Sequence, residues 1–371
     1  MGLNQDMTKR WFVSLGLMSG TSADGMDAAL IRSDGEDAVE TLSTAFVPYP
    51  DDFRKRLLFC AHHHTSNDAV REDFSHWSQM ACESILRQSH IRPDLIASHG
   101  HTLDHRPDLG WTLQMDDPVA LARHFGVPVV SDFRQKDMQN GGQGAPLVPI
   151  YHRVRGRGHP KPLAIVNIGG VSNITLLDDQ DGMVAFDAGP GNALMDDVLQ
   201  NTVGARYDHG GALALSGTLH RDLAETLLAD PFFLKRGPKS LDRNHFAQRA
   251  GILQGLSLND RLATLAYVTA VAIARGIQQH QPHCQECLLV GGGRKNKAIV
   301  EALSQALSCP VRDGDTAGFD SDFMEAEAFA YLGIRSFLGL PYSFPETTGV
   351  SVPTCGGVLY LPPCFFHSIP R

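Results

Sequence analysis

The stretch that decides the fold is Leu15-Gly16-Leu17-Met18-Ser19-Gly20-Thr21-Ser22-Ala23-Asp24-Gly25-Met26-Asp27. Apolar runs at 11–15 and 26–31 flank its central turn and predict two buried strands. The two glycines of the turn, Gly20 and Gly25, permit a positive φ and a close approach of a ligand to the backbone. The Thr and Ser between them add hydroxyl donors, so this concave turn can hold an anion such as phosphate.

A carboxylate, Asp24, lies in the same turn and does not suit a loop that binds anions alone. A carboxylate beside a phosphate usually needs a cation between them, and Mg²⁺ commonly takes that place. The turn therefore predicts a site for phosphate and Mg²⁺. When this stretch is considered alone, an ordinary polar hairpin turn explains the pattern equally well.

Length and composition indicate a globular chain of two domains. A chain of 371 residues is too long for one small hydrophobic core. Its content of 43% hydrophobic and 20% charged residues is typical of soluble proteins. A net charge of -9 argues against a nucleic-acid-binding surface. No apolar run reaches the roughly 18 residues of a membrane helix, and residues 1–10 lack the apolar core of a secretory signal.

The seven cysteines are odd in number and scattered, which predicts a reduced, cytoplasmic setting. Two of them, Cys284 and Cys287, have the CxxC spacing of zinc and redox sites. Because no second CxxC pair follows, we favour a structural or incidental role for these two thiols.

A second segment repeats the opening layout. The apolar strand at 163–168 is followed by Gly169-Gly170, a strand at 171–177 and a strand at 183–186. Two copies of this layout predict two similar α/β domains with a cleft between them. A third glycine turn, Gly291-Gly292-Gly293, follows another apolar strand, and its backbone can carry a flat ring or a sugar.

Periodicity predicts the remaining elements. We predict further strands at 39–49, 95–98 and 127–131, and helices at 52–90, 118–126, 193–200, 211–228, 259–279 and 323–338. Residues 99–102 are predicted to form a polar loop just past a strand end, where open α/β sheets bind ligands. The glycine-rich segment 138–146 predicts a flexible loop or a domain junction.

Four polar features are candidates for a site. Asp187 ends a predicted strand ahead of Gly-Pro-Gly, so it acts as a general base or caps a turn. Arg134 follows a strand and binds a substrate carboxylate or forms a surface ion pair. Glu325 occurs early in a mostly apolar helix, where a carboxylate needs a partner. The histidines at 62–64 and at 99, 101 and 105 lack metal-ligand spacing, which favours surface or substrate contacts.

The motifs together resemble one enzyme family. Glycine turns at strand ends are similar to those of nucleotide phosphotransferases of the actin, hexokinase and Hsp70 type. A more specific resemblance, to anhydro-N-acetylmuramic acid kinases, runs from about residue 12 to residue 360 with the motifs in the expected order. The segments that carry it are 20–27, 131–134, 141–149, 167–175, 186–192, 291–296 and 325–330.

The resemblance implies an α/β fold of two actin/hexokinase-like (ribonuclease H-like) domains flanking an interdomain cleft. Residues 11–135 plus about 345–371 would form the first domain, which contains the phosphate loop at 20–27. Residues 136–344 would form the second domain, with Asp187 and the adenosine loop at 291–293. A homodimer is expected on the same ground.

The implied activity is that of an ATP-dependent, Mg²⁺-requiring kinase of bacterial cell-wall recycling. Such enzymes open the anhydro bridge of 1,6-anhydro-N-acetylmuramic acid with water and phosphorylate the released O6, which yields N-acetylmuramic acid 6-phosphate. Asp187 matches the family's catalytic aspartate, and Thr102, Arg134 and Glu325 match sugar-site positions. The implied ATP-binding residues are Gly20, Thr21, Ser22, Ala23, Asp24, Gly25, Met26, Asp27, Gly169, Gly170, Asn173, Gly291, Gly292, Gly293 and Asn296. The resemblance does not indicate which residues bind Mg²⁺ directly.

Two departures from the family pattern concern the substrate. His101 stands where glutamine is expected, and Leu241-Asp242-Arg243-Asn244 replaces a Thr-Gly-Arg-Glu-like stretch. The alternatives are a kinase for a different sugar with the same fold and a non-catalytic, actin-like nucleotide-binding protein. Nucleotide hydrolysis that does not depend on added sugar would favour these alternatives.

Overall fold

The computed structural model of the protein describes residues 10–242 and 245–363. Two residues of the 241–244 stretch that differs from the family pattern, Arg243 and Asn244, lie outside the described residues, as does Cys364. The strands are β1 (Phe12–Ser19), β2 (Gly25–Ser33), β3 (Val39–Pro48), β4 (Leu95–Arg106), β5 (Trp111–Met115), β6 (Val129–Ser131), β7 (Leu163–Ile168), β8 (Val171–Leu177), β9 (Met183–Pro190), β10 (Glu286–Val290), β11 (Val311–Asp313) and β12 (Val358–Tyr360). The helices are α1 (Asp51–His62), α2 (Asp68–Ser89), α3 (Pro118–Phe125), α4 (Gln135–Gln139), α5 (Pro149–Arg155), α6 (Ala193–Val203), α7 (Ala212–Ser216), α8 (Arg221–Leu228), α9 (Leu258–His280), α10 (Lys297–Ala306), α11 (Met324–Phe337) and α12 (Pro345–Thr348).

Contacts between residues divide the described chain into two units. Unit 1 consists of the residues up to Asn140, Glu325–Ser343 and the residues from Pro353 onward. Unit 2 consists of Gly141–Met324 and Phe344–Val352. Helix α11 therefore lies almost entirely in unit 1, whereas the predicted boundary at residue 344 assigns it to the second domain.

Each unit contains one sheet, and the two sheets share a layout. In unit 1 the strand order is β12-β6-β4-β1-β2-β3, with β5 paired to β4; in unit 2 it is β11-β10-β7-β8-β9. The first three strands of each form an antiparallel meander, and the next strand runs parallel to the first. The predicted α/β class and the predicted repetition of strand, glycine turn and strand are both confirmed.

Close packing of α11 onto the sheet explains why this helix belongs to unit 1. A Cβ atom at Gly16 of β1 would lie 2.0 Å from the Ala326 carbonyl oxygen and 2.6 Å from the Ala330 nitrogen. A Cβ atom at Gly333 of α11 would lie 2.6 Å from the Ala97 side chain. Glycine at these two positions brings the helix and the sheet together, a tertiary contact that local periodicity does not reveal.

The polar segment 99–102 is part of β4, so the predicted loop is wrong. Strand β4 continues because it finds partners on both sides. His101 pairs with Ser19 of β1 in parallel register, and Thr102 pairs with Gln114 of β5 in antiparallel register. Hydrogen bonding to two neighbouring strands therefore outweighs the polar character of the segment.

Two predicted helices are interrupted. The helix predicted at 52–90 breaks between α1 and α2, where His64 has a φ of 52° and the Asn67 side chain caps α2 by accepting from the Val70 amide. The helix predicted at 211–228 breaks at Gly217, where a Cβ would lie 2.1 Å from the Asn259 carbonyl oxygen. The predicted buried helix at 259–279 is confirmed as α9.

Candidate active site

The turn between β1 and β2 is held in shape by its own backbone. The amide of Ala23 donates to the Gly20 carbonyl oxygen at 3.0 Å, and Ala23 is buried with a φ of 52°. Ala23 is therefore the left-handed residue of the turn, and neither Gly20 nor Gly25 adopts the positive φ that glycine permits. Gly25 is required for space, since a Cβ there would lie 2.4 Å from the Phe46 ring.

The first part of the predicted ATP-binding segment is the part that a ligand can reach. Thr21, Ser22 and Asp24 are exposed, whereas residues 25–27 lie in β2 and are buried or partly buried. Arg54 donates to the Ser22 carbonyl oxygen at 2.9 Å and lies 3.5 Å from the Asp24 carboxylate. The turn therefore presents two hydroxyls, a carboxylate and a guanidinium side by side.

A single exposed carboxylate suits an ion that is bound mainly through phosphates. Within residues 10–242 and 245–363, no three His, Cys, Asp or Glu side chains group as metal ligands. Mg²⁺ usually keeps several waters and binds through one or two carboxylates plus substrate phosphates. Asp24 of the turn meets that requirement without further protein ligands.

The CxxC pair consists of one partly exposed thiol, Cys284, and one buried thiol, Cys287. Cys284 and Cys287 are both free, and burial raises the pKa of Cys287 well above its usual value. Because the thiolate is the reactive and metal-binding form, such a thiol is inert. These properties agree with the structural role favoured from the sequence.

The guanidinium of Arg134 is bound to a buried histidine in unit 1. Its Nε and Nη2 donate to Nε2 of His99 at 3.1 and 2.9 Å, and His99 Nδ1 lies 3.0 Å from the Gly100 carbonyl oxygen. His99 is 3% exposed, and burial together with the charge of Arg134 holds its pKa well below the usual value. The imidazole is therefore neutral at neutral pH, with its proton on Nδ1 and its acceptor at Nε2.

The residues that precede Arg134 are also fixed. The Tyr360 hydroxyl donates to the Asp132 carboxylate at 2.6 Å, and Asp132 has a φ of 54°. The Tyr342 hydroxyl donates to the Phe133 carbonyl oxygen at 2.7 Å. A left-handed conformation at a non-glycine residue persists only where its surroundings hold it, so Arg134 extends from a rigid backbone.

Asp116 accepts hydrogen bonds from three residues of the same unit. As a residue Asp116 is partly exposed, but its carboxylate is enclosed by the Ser98 and Ser131 hydroxyls at 2.8 and 2.6 Å and by the Asp117 amide at 2.9 Å. Desolvation of the carboxylate raises the pKa of Asp116 to about 7, although these hydrogen bonds act in the opposite direction. The group therefore titrates near neutral pH.

We expect this raised pKa to make the stability of unit 1 depend on pH. The folded chain binds the Asp116 proton more tightly than the unfolded chain, in which the group has a pKa of about 3.9. Its contribution to the free energy of unfolding is therefore greatest below about pH 4 and falls as the pH rises to about 7.

Urea unfolding at a series of pH values, followed by tryptophan fluorescence, measures this effect. All three tryptophans, at positions 11, 77 and 111, lie in unit 1. Asp116→Asn should flatten the decline in unfolding free energy toward pH 7, by at most about 1.4 kcal/mol per pH unit. Asp108→Asn, at an exposed carboxylate, should not. Parallel curves for wild type and Asp116→Asn would contradict the expectation.

The other two sugar-site candidates lie on different elements of unit 1. Thr102 is partly exposed in β4, and its hydroxyl oxygen accepts from Gln114 at 3.4 Å. Glu325 is partly exposed near the start of α11. The buried carboxylate of this helix is instead Glu327, which is 0% exposed and accepts a 2.5 Å hydrogen bond from the Thr41 hydroxyl. The structure therefore leaves Glu325, and not Glu327, accessible to a ligand.

The glycine turns of unit 2 lie at one edge of its sheet. Strands β7 and β10 run parallel, and Gly169-Gly170 and Gly291-Gly292-Gly293 directly follow them. Strand β8 runs away from this edge, and strand β9 returns to it. Asn173 near the start of β8 and Asp187 near the end of β9 are paired to each other at the same edge.

Steric crowding explains two glycines of the second turn. Gly291 has a φ of 75°, and a Cβ there would lie 2.1 Å from Asn167 Oδ1. A Cβ at Gly293 would lie 2.2 Å from the Ile168 side chain. Gly292 has nothing within 4 Å of its Cβ position, so the backbone is open there and can receive a ligand.

The turn at Gly169 also receives the chain that leaves β9. The amide of Asn192 donates to the Gly169 carbonyl oxygen at 2.8 Å, and the amide of Gly191 donates to the Gly170 carbonyl oxygen at 3.0 Å. A Cβ at Gly191 would lie 2.2 Å from the Gly169 carbonyl oxygen. The end of β9, the start of α6 and this turn therefore form one compact structure.

Asn296 has a structural role that sequence reasoning did not predict. Its side chain caps α10 by accepting from the amides of Ala298 and Ile299 at 3.1 and 3.4 Å, and it is 7% exposed. Its neighbour Arg294 is buried, donates to the Gly291 carbonyl oxygen at 3.2 Å and forms three ion pairs. Those ion pairs are with Asp313, Asp315 and Asp322. Arg294 therefore ties the Gly291 turn to three carboxylates, whereas Asn296 fixes the start of α10.

The segment 239–241 orients Asp187. The amide of Asp187 donates to the Lys239 carbonyl oxygen at 2.9 Å, and the amide of Leu241 donates to Asp187 Oδ2 at 2.7 Å. Strand β9 continues through Pro190, which pairs with Val171, so the prediction that the strand ends at Asp187 is wrong. The carboxylate is partly exposed and fixed in direction, as a general base requires.

Lys239 is a charged neighbour that sequence reasoning missed. Its Nζ donates to the Phe232 carbonyl oxygen at 3.0 Å and lies 4.3 Å from the centre of the Phe232 ring. Burial lowers the pKa of Lys239 to about 8, although the charge of Asp187 acts in the opposite direction. The charges of Lys239 and Asp187 therefore attract each other. The Pro-Lys-Ser sequence at 238–240 was the available signal.

The profile of the anhydro-N-acetylmuramic acid kinase family matches residues 12–362. The chain belongs to this family. A Methylorubrum populi protein named anhydro-N-acetylmuramic acid kinase is 42% identical over 375 residues, which cover 94% of this chain and 99% of that protein. A Paramagnetospirillum magneticum protein of the same name is 40% identical over 354 residues, with coverage of 94% and 100%.

Membership of the anhydro-N-acetylmuramic acid kinase family makes the chain a kinase, an ATP-using phosphotransferase of sugar metabolism. A solved ROK family glucokinase from Streptomyces griseus is also similar, with 12% identity, a TM-score of 0.41 and coverage of 86% of this chain and 99% of that one. That likeness is too weak to match individual residues. Within the described ranges, no helix has the length and apolar character needed to cross a membrane.

Proposed function

We propose that the chain opens the 1,6-anhydro ring of 1,6-anhydro-N-acetylmuramic acid with water and transfers a phosphoryl group from ATP to O6. The products are N-acetylmuramic acid 6-phosphate and ADP, and the reaction serves peptidoglycan recycling. The observation that carries the proposal is the placement of Asp187. Its carboxylate is oriented by the Leu241 amide at the sheet edge that also holds two glycine turns.

In this proposal Asp187 is the catalytic base. It accepts a proton from the water that attacks C1, and the bond between C1 and O6 breaks. The electron pair of that bond stays on O6, which then attacks the γ-phosphorus of ATP as ADP leaves. Phosphoryl transfer depends mainly on positioning and charge neutralisation, which glycine turns and a bound cation supply.

The remaining residues bind the two substrates. The turn at 20–24 and the Gly169-Gly170 turn contact phosphates, while the open backbone at Gly292 contacts the adenosine. Mg²⁺ bound to ATP neutralises phosphate charge, and Asp24 is the residue that fits beside it. Thr102, Arg134 and Glu325 contact the sugar. A homodimer and a cytoplasmic location complete the proposal.

We expect ATP turnover to depend on the anhydro sugar, because the acceptor oxygen is created only when the bridge opens. The measurement is ADP formation with Mg²⁺, with and without 1,6-anhydro-N-acetylmuramic acid, and the mass of the sugar product. A product heavier by one water and one phosphoryl group supports both halves of the reaction. ADP formation that is indifferent to the sugar, with no new sugar species, would contradict the proposal.

A further inference from the structure

Two partly exposed thiols, Cys284 and Cys309, lie next to each other in unit 2. Cys284 shortly precedes β10, and Cys309 shortly precedes β11. These two strands are parallel neighbours, and the Cys287 amide of β10 donates to the Pro310 carbonyl oxygen at 2.9 Å. The side chains of Cys284 and Cys309 are within hydrogen-bonding range of each other. The two sulfur atoms are therefore neighbours in the reduced protein.

Both of these thiols can be reached from solvent. Cys309 is flanked on both sides by exposed residues, and so is Cys284. Each of the two cysteines also packs against the hydrophobic core of unit 2. Exposure lets a small oxidant reach the pair, and packing against the core keeps the two sulfur atoms together.

The surroundings of Cys284 determine which sulfur reacts first. Burial, together with the negative charge that Cys309 carries as a thiolate, raises the pKa of Cys284 to about 12. A thiol that stays protonated is a poor nucleophile. Cys309 is therefore the thiol that attacks an oxidant, and Cys284 is the thiol that reacts with the oxidised product.

We propose that Cys284 and Cys309 form a reversible oxidation site in which hydrogen peroxide closes an intramolecular disulfide. The Cys309 sulfur attacks the peroxide, the O–O bond breaks, and Cys309 becomes a sulfenic acid as one water leaves. The Cys284 sulfur then displaces the hydroxyl group, which leaves as a second water with the Cys284 proton. Two electrons pass from the two thiols to one peroxide, and a dithiol reductant reverses the change.

The disulfide would stabilise the segment that carries the Gly291 turn. It closes a loop of about 25 residues that contains β10, this turn and α10, and such a crosslink restricts the unfolded chain. The sulfur atoms lie at the amino end of β10, whereas the turn follows its carboxyl end after a strand of 5 residues. The crosslink therefore leaves the turn unobstructed. This proposal does not depend on the proposed function.

The main competing product is a disulfide within the CxxC spacing, between Cys284 and Cys287. Cys287 is 0% exposed, and burial raises its pKa well above the usual value. It also lies inside β10, where it pairs with β7 on one side and β11 on the other. An oxidant in solvent therefore reaches Cys309 and does not reach Cys287.

The test is peptide mapping of the full chain after treatment with hydrogen peroxide, with the remaining thiols alkylated before digestion. We expect one new crosslinked peptide pair, which joins Cys284 to Cys309, and an intact mass lower by about 2 Da before alkylation. Dithiothreitol should restore both thiols. Thermal unfolding followed by circular dichroism should show a midpoint about 5 to 10 °C higher for the oxidised protein than for the reduced protein.

Cys284→Ser and Cys309→Ser should each abolish the crosslink and the shift in midpoint. Cys355→Ser, at a partly exposed cysteine of unit 1, is the matched control and should retain both. A crosslink between Cys284 and Cys287, or oxidation of Cys309 to a sulfinic acid without a crosslink, would overturn the oxidation site. A Cys284–Cys309 crosslink that left the midpoint unchanged would overturn its stabilising role. Mapping of the wild type needs no variant, so poor folding of a serine variant cannot obscure the result.

Discussion

Replacing Asp187 with asparagine will abolish phosphorylation of the anhydro sugar while leaving ATP binding nearly intact. Asparagine cannot take a proton from water, and loss of a positioned general base costs about 10²- to 10⁴-fold in rate. The amide oxygen of asparagine can still accept the Leu241 amide that Asp187 Oδ2 accepts at 2.7 Å. The backbone around β9 and the Gly169 turn should therefore keep its structure.

Two measurements on the same Asp187→Asn preparation separate chemistry from binding. The rate of sugar phosphate formation should fall by the factor above, while calorimetric titration with ATP and Mg²⁺ should give a dissociation constant close to that of the wild type. Asp222→Asn, at an exposed carboxylate in the first turn of α8, is the matched control and should retain full activity. Near wild-type turnover by Asp187→Asn would show that another group acts as the base.

A comparison with Asp187→Ala tests whether the residue is catalytic or structural. Alanine removes both the base and the acceptor for Leu241, so it should be as inactive as asparagine but less stable. If only alanine lost activity, the role of Asp187 would be to hold the segment 239–241 in place. Equal loss in the two variants, with ATP binding kept by asparagine, would assign the loss to proton transfer.

Local patterns in the sequence predicted the strands and turns because these depend on neighbouring residues. Alternating apolar runs around small residues located β1, β2, β7 and β8, and the glycine turns that follow strands located the edge of unit 2. The left-handed residue of the first turn could not be found in this way. Ala23 adopts a φ of 52° because its amide bonds Gly20 and its side chain is buried, and glycine would ordinarily be expected there.

Contacts that join distant parts of the chain could not be predicted from the sequence. His99 is polar and was assigned to a loop, yet pairing with two neighbouring strands makes β4 continue through it. Its hydrogen bond to Arg134 joins residues that are 35 positions apart in the sequence. Helix and strand periodicity concerns near neighbours and cannot predict such a contact. Lys239 was missed, because its proximity to Asp187 depends on how segment 239–241 runs beside β9.

Replacing Gly16 with alanine will strongly destabilise unit 1. The added Cβ would lie 2.0 Å from the Ala326 carbonyl oxygen, 2.6 Å from the Ala330 nitrogen and 2.9 Å from the Ala330 Cβ. Two of these are backbone atoms of a helix and cannot move away alone, so all of α11 must shift from the sheet. Overpacking of this kind costs typically 1–3 kcal/mol, and we expect about 3 kcal/mol here.

Gly20→Ala provides a control four residues along the same segment. The nearest atom to a Cβ at Gly20 is Ser22 Oγ at 3.8 Å, and Gly20 does not have a positive φ. This variant should change the free energy of unfolding by less than about 0.5 kcal/mol. Urea unfolding followed by tryptophan fluorescence suits both variants, since all three tryptophans lie in unit 1. Equal unfolding midpoints for Gly16→Ala and Gly20→Ala would contradict the packing argument.

Gly16→Ala should also impair sugar binding, because α11 carries Glu325 next to the crowded Ala326. A helix displaced from β1 moves this carboxylate, so KM for the sugar should rise in the fraction of Gly16→Ala that remains folded. Phe329 of the same helix packs against His99, and its displacement would loosen the ring that orients Arg134. Gly16, which touches no ligand, would thereby influence two of the three proposed sugar contacts through the position of one helix. Unchanged KM in a destabilised Gly16→Ala variant would separate the packing of α11 from sugar recognition.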